Sequence, residues 1–377
     1  MGDCHLGSWR QPELKELNMR SFRYVIDFCI RNKADFVLIS GDLFDSAYPP
    51  IDILKEAFKE FRRLKEAEIP VFLIAGSHDY SVSGKTFLDV LENSGFCKNV
   101  SIFQERGESI ILEPTIYKNV ALYGYPGKKS GLEIEEVKRI KLQDSPGLFK
   151  ILLLHTSIRG AISNPMIESI DESTLPKVDY LALSHLHIIY AKNGIVYSGP
   201  TFPNNLSEVE ELKFGSFYIF DKGNIKREEI KLIDVVSIRL EVTNALQATK
   251  EILEKMENLN LNNKILVLRI SGILETGKTS DIDFLKIEKI ARERGAYTIL
   301  KSTSKLHVIQ SEVKIDLLSS ESLENDIIKK FEEGNQHKFN PLIFPLIKTL
   351  QLEKADEEKS TVFKERLLSE IYKIIKK

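Results

Sequence analysis

Residues Asp35 to Asp45 read DFVLISGDLFD. Phe36-Val37-Leu38-Ile39 is a short apolar run that leaves through Ser40-Gly41 and presents Asp42. A glycine at that exit removes a Cβ where the backbone must turn sharply. Asp42 therefore stands at the carboxyl end of a buried strand, the place where open α/β sheets put their chemistry. Strand-Gly-Asp alone is also ordinary turn chemistry, so the recurrence of the pattern carries the weight. IPVFLIAGSHDY (69–80) ends in Ser77-His78-Asp79, KILLLHTS (150–157) carries His155, and VDYLALSHLH (178–187) ends in His185-Leu186-His187. The chain also opens with Asp3-Cys4-His5, just before a helical pattern.

The composition sets wide bounds. A chain of 377 residues has room for two or three domains and an ample core. With 42% hydrophobic and 29% charged residues it reads as an ordinary globular protein, and its Lys- and Glu-rich make-up leans toward a heat-adapted source. The net charge of −2 excludes a global basic field, so any nucleic-acid binding must come from a local patch or from bound cations. Cys4, Cys29 and Cys97 are odd in number and scattered, which fits a reducing cytoplasm rather than a disulfide framework. No segment reads as a signal peptide, and no apolar run approaches the roughly 18 residues of a membrane span.

Around the quoted stretch the pattern alternates. Pro12–Lys33 is helical, with Leu14, Leu17, Phe22, Val25, Ile26 and Cys29 on one side. The helix after Pro49-Pro50 carries Leu54, Phe58, Phe61 and Leu64 over Ile51–Glu68. A strand at Val71–Ile74 and a helix at Lys85–Asn93 follow, and this spacing predicts a layered α/β domain with a largely parallel start. Short strands are expected at Ser101–Phe103, Ile110–Leu112 and Val120–Gly124, a charged helix at Glu133–Lys141, and strands at Ile151–Leu154, Tyr180–Leu183, Ile195–Tyr197 and Phe217–Phe220. From about Val235 the character changes to a small α+β domain without a ligand cluster. Its strands are expected at 236–240, 265–270 and 297–300, and its helices at 245–256 and 282–294. From Leu317 the chain reads as helical and strongly charged. One apolar stripe is Leu323, Ile327, Ile328 and Phe331; another is Phe363, Leu367, Ile371 and Ile374. Between them, Asn340–Leu346 is apolar but interrupted by two prolines. The expected domains are 1–232, 233–315 and 316–377. Asp3 has no strand before it, and the expectation is that Met1 is internal to a longer reading frame.

Five of the seven histidines (His5, His78, His155, His185 and His187) fall at these strand ends. One such histidine is usually a packed or solvated residue. Five together with Asp3 and Asp42 are difficult to explain structurally, because imidazole is a poor core filler. A set of imidazoles and carboxylates, with no cysteine except Cys4, suits manganese, iron or zinc in an open, reactive site. Asp3, His5, Asp42, His155, His185 and His187 are too many donors for one ion. Two ions about 3.5–4 Å apart, bridged by a carboxylate, are the usual device for phosphoester hydrolysis. Such a centre stays net positive and attracts phosphate even in a chain of negative charge.

Asp3-x-His5, Gly41-Asp42-Leu43-Phe44-Asp45, Gly76-x-His78-Asp79, His155 and His185-x-His187, taken in order, resemble the calcineurin-like metallophosphoesterases. More closely they are similar to SbcD-type break-repair exonucleases of bacteria and archaea, as are Tyr197-Ser198-Gly199 and Gly215-Ser216-Phe217-Tyr218. The motifs cover residues 1–220. The resemblance implies an α/β fold: a β-sandwich flanked by helices, then a small α+β capping domain and a helical C-terminal tail. It implies two Mn²⁺ ions, with Mg²⁺, Fe²⁺ or Zn²⁺ as alternatives. Asp3, His5, Asp42 and His187 would hold the first ion. Asp42 would bridge to the second, held also by His155 and His185. His78 would protonate the leaving oxygen, with Asp79 orienting its ring or, equally well, capping the next segment. Three positions depart from the pattern. Ser77 stands where an Asn usually ligates the second ion, Ser184 where a Gly precedes the histidine pair, and Asp45 where many relatives have His.

The implied substrate is double-stranded DNA ends. The implied partners are an SMC-like ABC ATPase (SbcC-type), docked through the C-terminal helices, and a second copy of the chain. Trp9 and Arg10 could clamp a nucleic-acid end by stacking, although an aromatic packed over its loop is the plainer reading of Trp9. The same residues are compatible with a phosphodiesterase or phosphatase for small molecules, and with a scaffold that has lost catalysis. The extra domain and tail favour a macromolecular substrate, and the nearly intact ligand set disfavours the scaffold.

Overall fold

Helix α1 (Pro12–Arg31) leads into strand β1 (Val37–Ile39), helix α2 (Ile51–Glu66), strand β2 (Val71–Leu73), helix α3 (Phe87–Asn93) and strand β3 (Lys98–Asn99). The three strands pair in parallel, β1 with β2 and β2 with β3. These elements belong to a computed structural model that describes residues 1–81, 86–128, 133–162, 166–308, 339–352 and 360–375. The chain divides into two compact units, Met1–His307 and Val308–Lys377.

The first unit continues with β4 (Phe103–Arg106), β5 (Ser109–Leu112), β6 (Thr115–Tyr117), β7 (Val120–Tyr125), α4 (Glu133–Val137), β8 (Ile140–Leu142), β9 (Phe149–His155), β10 (Tyr180–Ser184), β11 (Ile189–Lys192) and β12 (Ile195–Ser198). A six-stranded sheet runs in the order β11-β12-β10-β9-β7-β6, parallel through its centre and antiparallel at both edges. The apolar runs are explained by burial on both faces. In β9, Ile151 and Leu153 join Phe72, Ile74 and Val100 of the first sheet in one cluster, while Leu152 and Leu154 point the other way to Ile134 and Val137 of α4. β10 repeats this, with Tyr180 and Ala182 inward and Leu181 and Leu183 outward. The two sheets thus form a sandwich. The outer face of the first sheet is covered by α1 and α2 through Phe22, Ile26, Ala57, Phe61 and Leu64.

Helix α5 (Leu206–Leu212) and the hairpin β13 (Gly215–Asp221)–β14 (Asn224–Ile230) follow. Then come β15 (Asp234–Glu241), α6 (Ala245–Glu257), β16 (Lys264–Leu274), α7 (Phe284–Glu293) and β17 (Thr298–Val308). β15 and β16 pair in parallel and β17 flanks β16. Alternation again assigns the faces. Leu266 and Leu268 pack with Ile252 of α6 and Ile287 of α7, whereas Ile265 and Val267 meet Leu14 and Leu17 of α1 and Val209 of α5.

Several boundaries differ from the sequence reading. The single helix expected over Glu133–Lys141 stops at Val137, because Ile140 and Leu142 alternate about Lys141 and pair with Ile110 and Leu112. Helix α3 starts at Phe87, where Thr86 accepts from the Leu88 N–H at 3.2 Å and Asp89 from the Thr86 N–H at 2.7 Å. The strand expected at 101–103 forms at Phe103–Arg106, and the one expected at 297–300 extends to Val308.

In the second unit, helices α8 (Asn340–Leu350) and α9 (Ser360–Ile375) pack together. Pro341 lies in the first turn of α8, where its missing N–H costs nothing, and Pro345 is carried inside the helix. Between Phe363 and Ile375, Phe363, Leu367, Ile371 and Ile374 are each half-buried, while the other residues are exposed except Glu370, which is also half-buried. Leu323, Ile327, Ile328 and Phe331 lie outside the described residues, as does the boundary expected near 315. Among the described residues no helix is long and apolar enough to cross a membrane.

Candidate metal centre

Four parallel strands end at one place. β1 delivers Asp42, β2 delivers Ser77 and His78, β9 ends on His155, and β10 runs into His185 and His187. The first residues lie alongside β1 and leave it together with the chain. The Asp3 N–H donates to Gly41 O at 3.1 Å and the His5 N–H to Asp42 O at 3.0 Å. The loops meet closely. A Cβ on Gly41, whose φ is +104°, would stand 2.5 Å from His155 Nδ1, and one on Gly76 would stand 2.2 Å from Asp42 Oδ1. Glycine at both positions is a condition of assembling the centre. Asp3, His5, Asp42, His185 and His187 all hold left-handed backbone, with φ of 50°, 41°, 51°, 106° and 53°. That conformation is uncommon for residues with a Cβ, and its concentration here marks a place where geometry outweighs local preference.

Asp42 Oδ2 lies 3.2 Å from His155 Nε2 and 3.5 Å from His5 Nε2, while Asp42 Oδ1 accepts the His78 backbone N–H at 2.8 Å. His5 Nε2 and His187 Nε2 face each other at 3.0 Å, with Asp3 Oδ1 3.9 Å from His187 Nε2. Asp3 also accepts the His185 backbone N–H at 3.0 Å. Among the described residues, three groups could each hold an ion: Asp3 with His5 and His187, Asp3 with Asp42 and His155, and His5 with Asp45 and His78.

The donor set fits divalent cations. His5 Nδ1 is engaged by Asp45 Oδ1 at 3.1 Å, His155 Nδ1 by Ser40 O at 3.2 Å, and His187 Nδ1 by Glu208 Oε1 at 2.9 Å. Each acceptor takes the Nδ1–H and turns Nε2, the atom that would bind a cation on giving up its proton, toward the carboxylates. His155 Nε2 is buried and, although 3.2 Å from Asp42, makes no hydrogen bond of good geometry. Imidazole nitrogens crowded against one another and against buried carboxylates are an arrangement that a divalent cation satisfies by displacing their protons.

The charges respond accordingly. Burial penalises the Asp42 carboxylate, but His155 and then His5 outweigh it and hold its pKa well below the usual range. Burial opposes protonation of His155, yet Asp42 lifts its pKa to about 9. His185 goes the other way, to about 4, through burial and the neighbouring His155. The His155 and His185 rings sit 5.1 Å apart.

Each remaining expected residue has a definite place. Ser77 Oγ donates to Asp42 Oδ2 at 3.4 Å. Ser184, fully buried, shares a 2.5 Å hydrogen bond with Ser40, locking β10 to the exit of β1. His78 donates from Nδ1 to Asp45 O at 2.9 Å, and its ring lies edge-on to His5 at 4.7 Å. The expectation that Asp79 orients the His78 ring is corrected. The Asp79 carboxylate is buried and accepts the backbone N–H groups of Leu43, Phe44 and Gly76, so it braces the loop that carries Asp42. Burial and then Asp42 raise its pKa to about 6. Trp9 packs across to the loop at Phe202-Pro203, with Nε1 donating to Pro203 O at 2.9 Å and the ring against Phe202, while Arg10 is exposed.

Two carboxylates escaped the sequence reading. Asp45 was noted only as a departure, yet it touches both His5 and His78. Glu208 was not singled out at all. Its signal was the Asn205-x-x-Glu208 spacing, a helix-start pattern, since Asn205 caps α5 by accepting the Glu208 N–H at 3.0 Å.

Residues 1–189 match the family model described as calcineurin-like phosphoesterase. The DNA double-strand break repair protein Mre11 of Methanococcus maripaludis is 29% identical over 296 residues, covering 71% of this chain and 75% of that protein. The protein of the same name from Sulfolobus acidocaldarius is 27% identical over 354 residues, 89% of each chain. The uncharacterized metallophosphoesterase YhaO of Bacillus subtilis is 27% identical over 261 residues, 66% of this chain and 61% of that one.

Proposed function

The chain belongs to the calcineurin-like phosphoesterases, and from that premise we propose that this metal-dependent phosphodiesterase is a DNA nuclease with a two-ion centre that processes double-strand breaks. The observation that carries the reading is the convergence of three Nε2 atoms, from His5, His155 and His187, on the buried Asp3 and Asp42. Relatives that span most of the chain and are named for double-strand break repair support DNA as the substrate.

Asp3, His5, Asp42 and His187 would hold the first ion, and Asp42, His155 and His185 the second, with Ser77 at its edge. Two Mn²⁺ are the proposed occupants, and Mg²⁺, Fe²⁺ or Zn²⁺ suit the same donors. When bound, the ions acidify an attacking water and neutralise the charge that builds on the phosphate. The chain's own part is positional and acid–base. His78 keeps Nδ1 committed to Asp45 O, so Nε2 is the atom free to protonate the leaving oxygen, and the half-exposed ring can reach a bound phosphodiester.

The proposed division of labour is a nuclease domain at 1–232, a capping domain at 233–315 and a partner-binding region at 316–377. The capping region has its own core, from Ile238 to Leu306. An SMC-like ABC ATPase and a second copy of the chain are the proposed partners, and the cytoplasm, where free Cys4, Cys29 and Cys97 stay reduced, is the proposed compartment. The test is to incubate Mn²⁺-loaded protein with blunt duplex DNA and with a simple aryl phosphodiester, with and without a chelator. Chelator-sensitive DNA products are expected. Turnover of the aryl ester alone would make it a small-molecule phosphodiesterase, and no turnover of either would make it a scaffold.

A further inference from the structure

Helix α5 touches the metal centre with one residue, Glu208, and the β15–β16 sheet with three others, Ser207, Val209 and Glu210. On the side of the centre, Glu208 Oε1 accepts from His187 Nδ1 at 2.9 Å and from Asn205 Nδ2 at 2.6 Å, while Oε2 accepts the Asn204 N–H at 2.8 Å. The carboxylate is thereby fixed on both oxygens before any ligand arrives. On the other side, Glu210 is buried and receives Arg239 Nε from β15 at 2.7 Å and Arg269 Nε from β16. Arg269 also donates to Ser207 Oγ at 2.9 Å. Val209, between the two glutamates, is buried with Ile265 and Val267 of β16. A two-turn helix has little stability of its own, so these contacts hold it in place.

We propose that Glu208 is a positioning residue for His187, and that α5 is a strut through which the β15–β16 sheet sets the aim of that imidazole. The inference rests on the reading of His187 as an ion ligand. A carboxylate on the far ring nitrogen fixes tautomer and orientation, and losing such a partner typically costs about 10–100-fold in metal affinity. The strut adds that a change at the sheet, reaching no ligand directly, is felt at the centre.

The experiment uses the full chain and Mn²⁺ alone as the probe. Calorimetry measures affinity in the unmodified protein and in Glu208→Ala, Glu208→Gln, Arg269→Ala and His187→Ala. Nitrogen-15 spectra of metal-free, histidine-labelled protein report the His187 tautomer. Glu208→Ala is expected to weaken Mn²⁺ binding about 10–100-fold and to lose the Nδ1–H preference. Glu208→Gln, which keeps an acceptor oxygen, is expected to recover most of both. Arg269→Ala is expected to weaken binding by a smaller factor. If His187→Ala weakens binding and Glu208→Ala does not, the positioning role is overturned while the ligand reading stands. If His187→Ala binds normally, the ligand reading itself falls. Unchanged affinity in Arg269→Ala overturns the strut. Should Glu208→Ala fail to fold, Glu208→Asp decides, because its shorter side chain withdraws the carboxylate from His187 Nδ1: weaker Mn²⁺ binding with loss of the Nδ1–H preference supports the positioning role, and unchanged affinity and tautomer overturn it.

Discussion

Asp42 offers one oxygen to two imidazoles and the other to the His78 backbone. Asp42→Ala should therefore drop metal-dependent turnover below ~1% of the unmodified rate, since losing even a supporting contact costs about 10–100-fold. Near-normal rates in that variant, with metal content measured in parallel, would reject a shared carboxylate. His78→Ala should bind Mn²⁺ and DNA as before and lose about 10²–10⁴ in the chemical step; loss of metal content would reassign it as a ligand. Ser77 ends in a short hydroxyl directed at Asp42. Ser77→Asn would supply an amide oxygen, so the Mn²⁺ concentration for half-maximal rate should fall while the maximal rate barely changes. Two equally tight sites by calorimetry in the unmodified protein, with no tightening in the variant, would count against it. Asp79 illustrates the limit of reading neighbours along the chain. Its adjacency to His78 was legible, but the three backbone N–H groups that claim its carboxylate come from two different loops. Asp45 and Glu208 escaped for the same reason, being 40 and 21 residues from the histidines they engage.

At the level of elements, strands buried on both faces announced themselves. Ile151–Leu154 and Tyr180–Leu183 are unbroken apolar runs because each face meets a different core. Leu153→Ala, emptying space between the two sheets, should cost about 2–5 kcal/mol, measured by denaturant unfolding. Elements without such a run went unread. β14 is Asn224-Ile-Lys-Arg-Glu-Glu-Ile230, a largely charged strand held by its hairpin partner, and α5 is too short to show a period. Helix α5 also carries a pH prediction. Burial opposes ionisation of Glu210, but Arg239 and Arg269 outweigh it and hold its pKa below the ordinary value. A carboxyl depressed in the folded state adds stability above its unfolded pKa of about 4.3, and that contribution is lost as pH falls through the folded value. Glu210→Gln should therefore lower the melting temperature at pH 7, and the gap from the unmodified protein should close below about pH 4. A gap independent of pH would show that the pair's charge contributes nothing.

For the whole molecule, every proposed ligand lies within Met1–His307, whereas Val308–Lys377 forms a unit of its own. Removing residues 317–377 should leave hydrolysis of a simple phosphodiester intact and abolish association with the proposed ATPase partner. A folded, truncated protein without basal activity would contradict that division. The half-buried face of α9 was legible as a stripe, but what covers it was not, because an amphipathic face records that something covers it and not what.

The centre is stitched from residues far apart in order of synthesis. His5 meets His187, and Asp3 meets the His185 backbone, each across 182 positions. At 5–20 residues per second, roughly 9–36 s separate the making of the two halves. Through most of that interval the nascent chain lacks the imidazoles of β9 and β10. Cation loading is therefore expected late in biogenesis, after the second half of the sandwich has left the ribosome. Arrested chains ending before His155 should release Mn²⁺ on gel filtration, and chains extended beyond Glu208 should retain it.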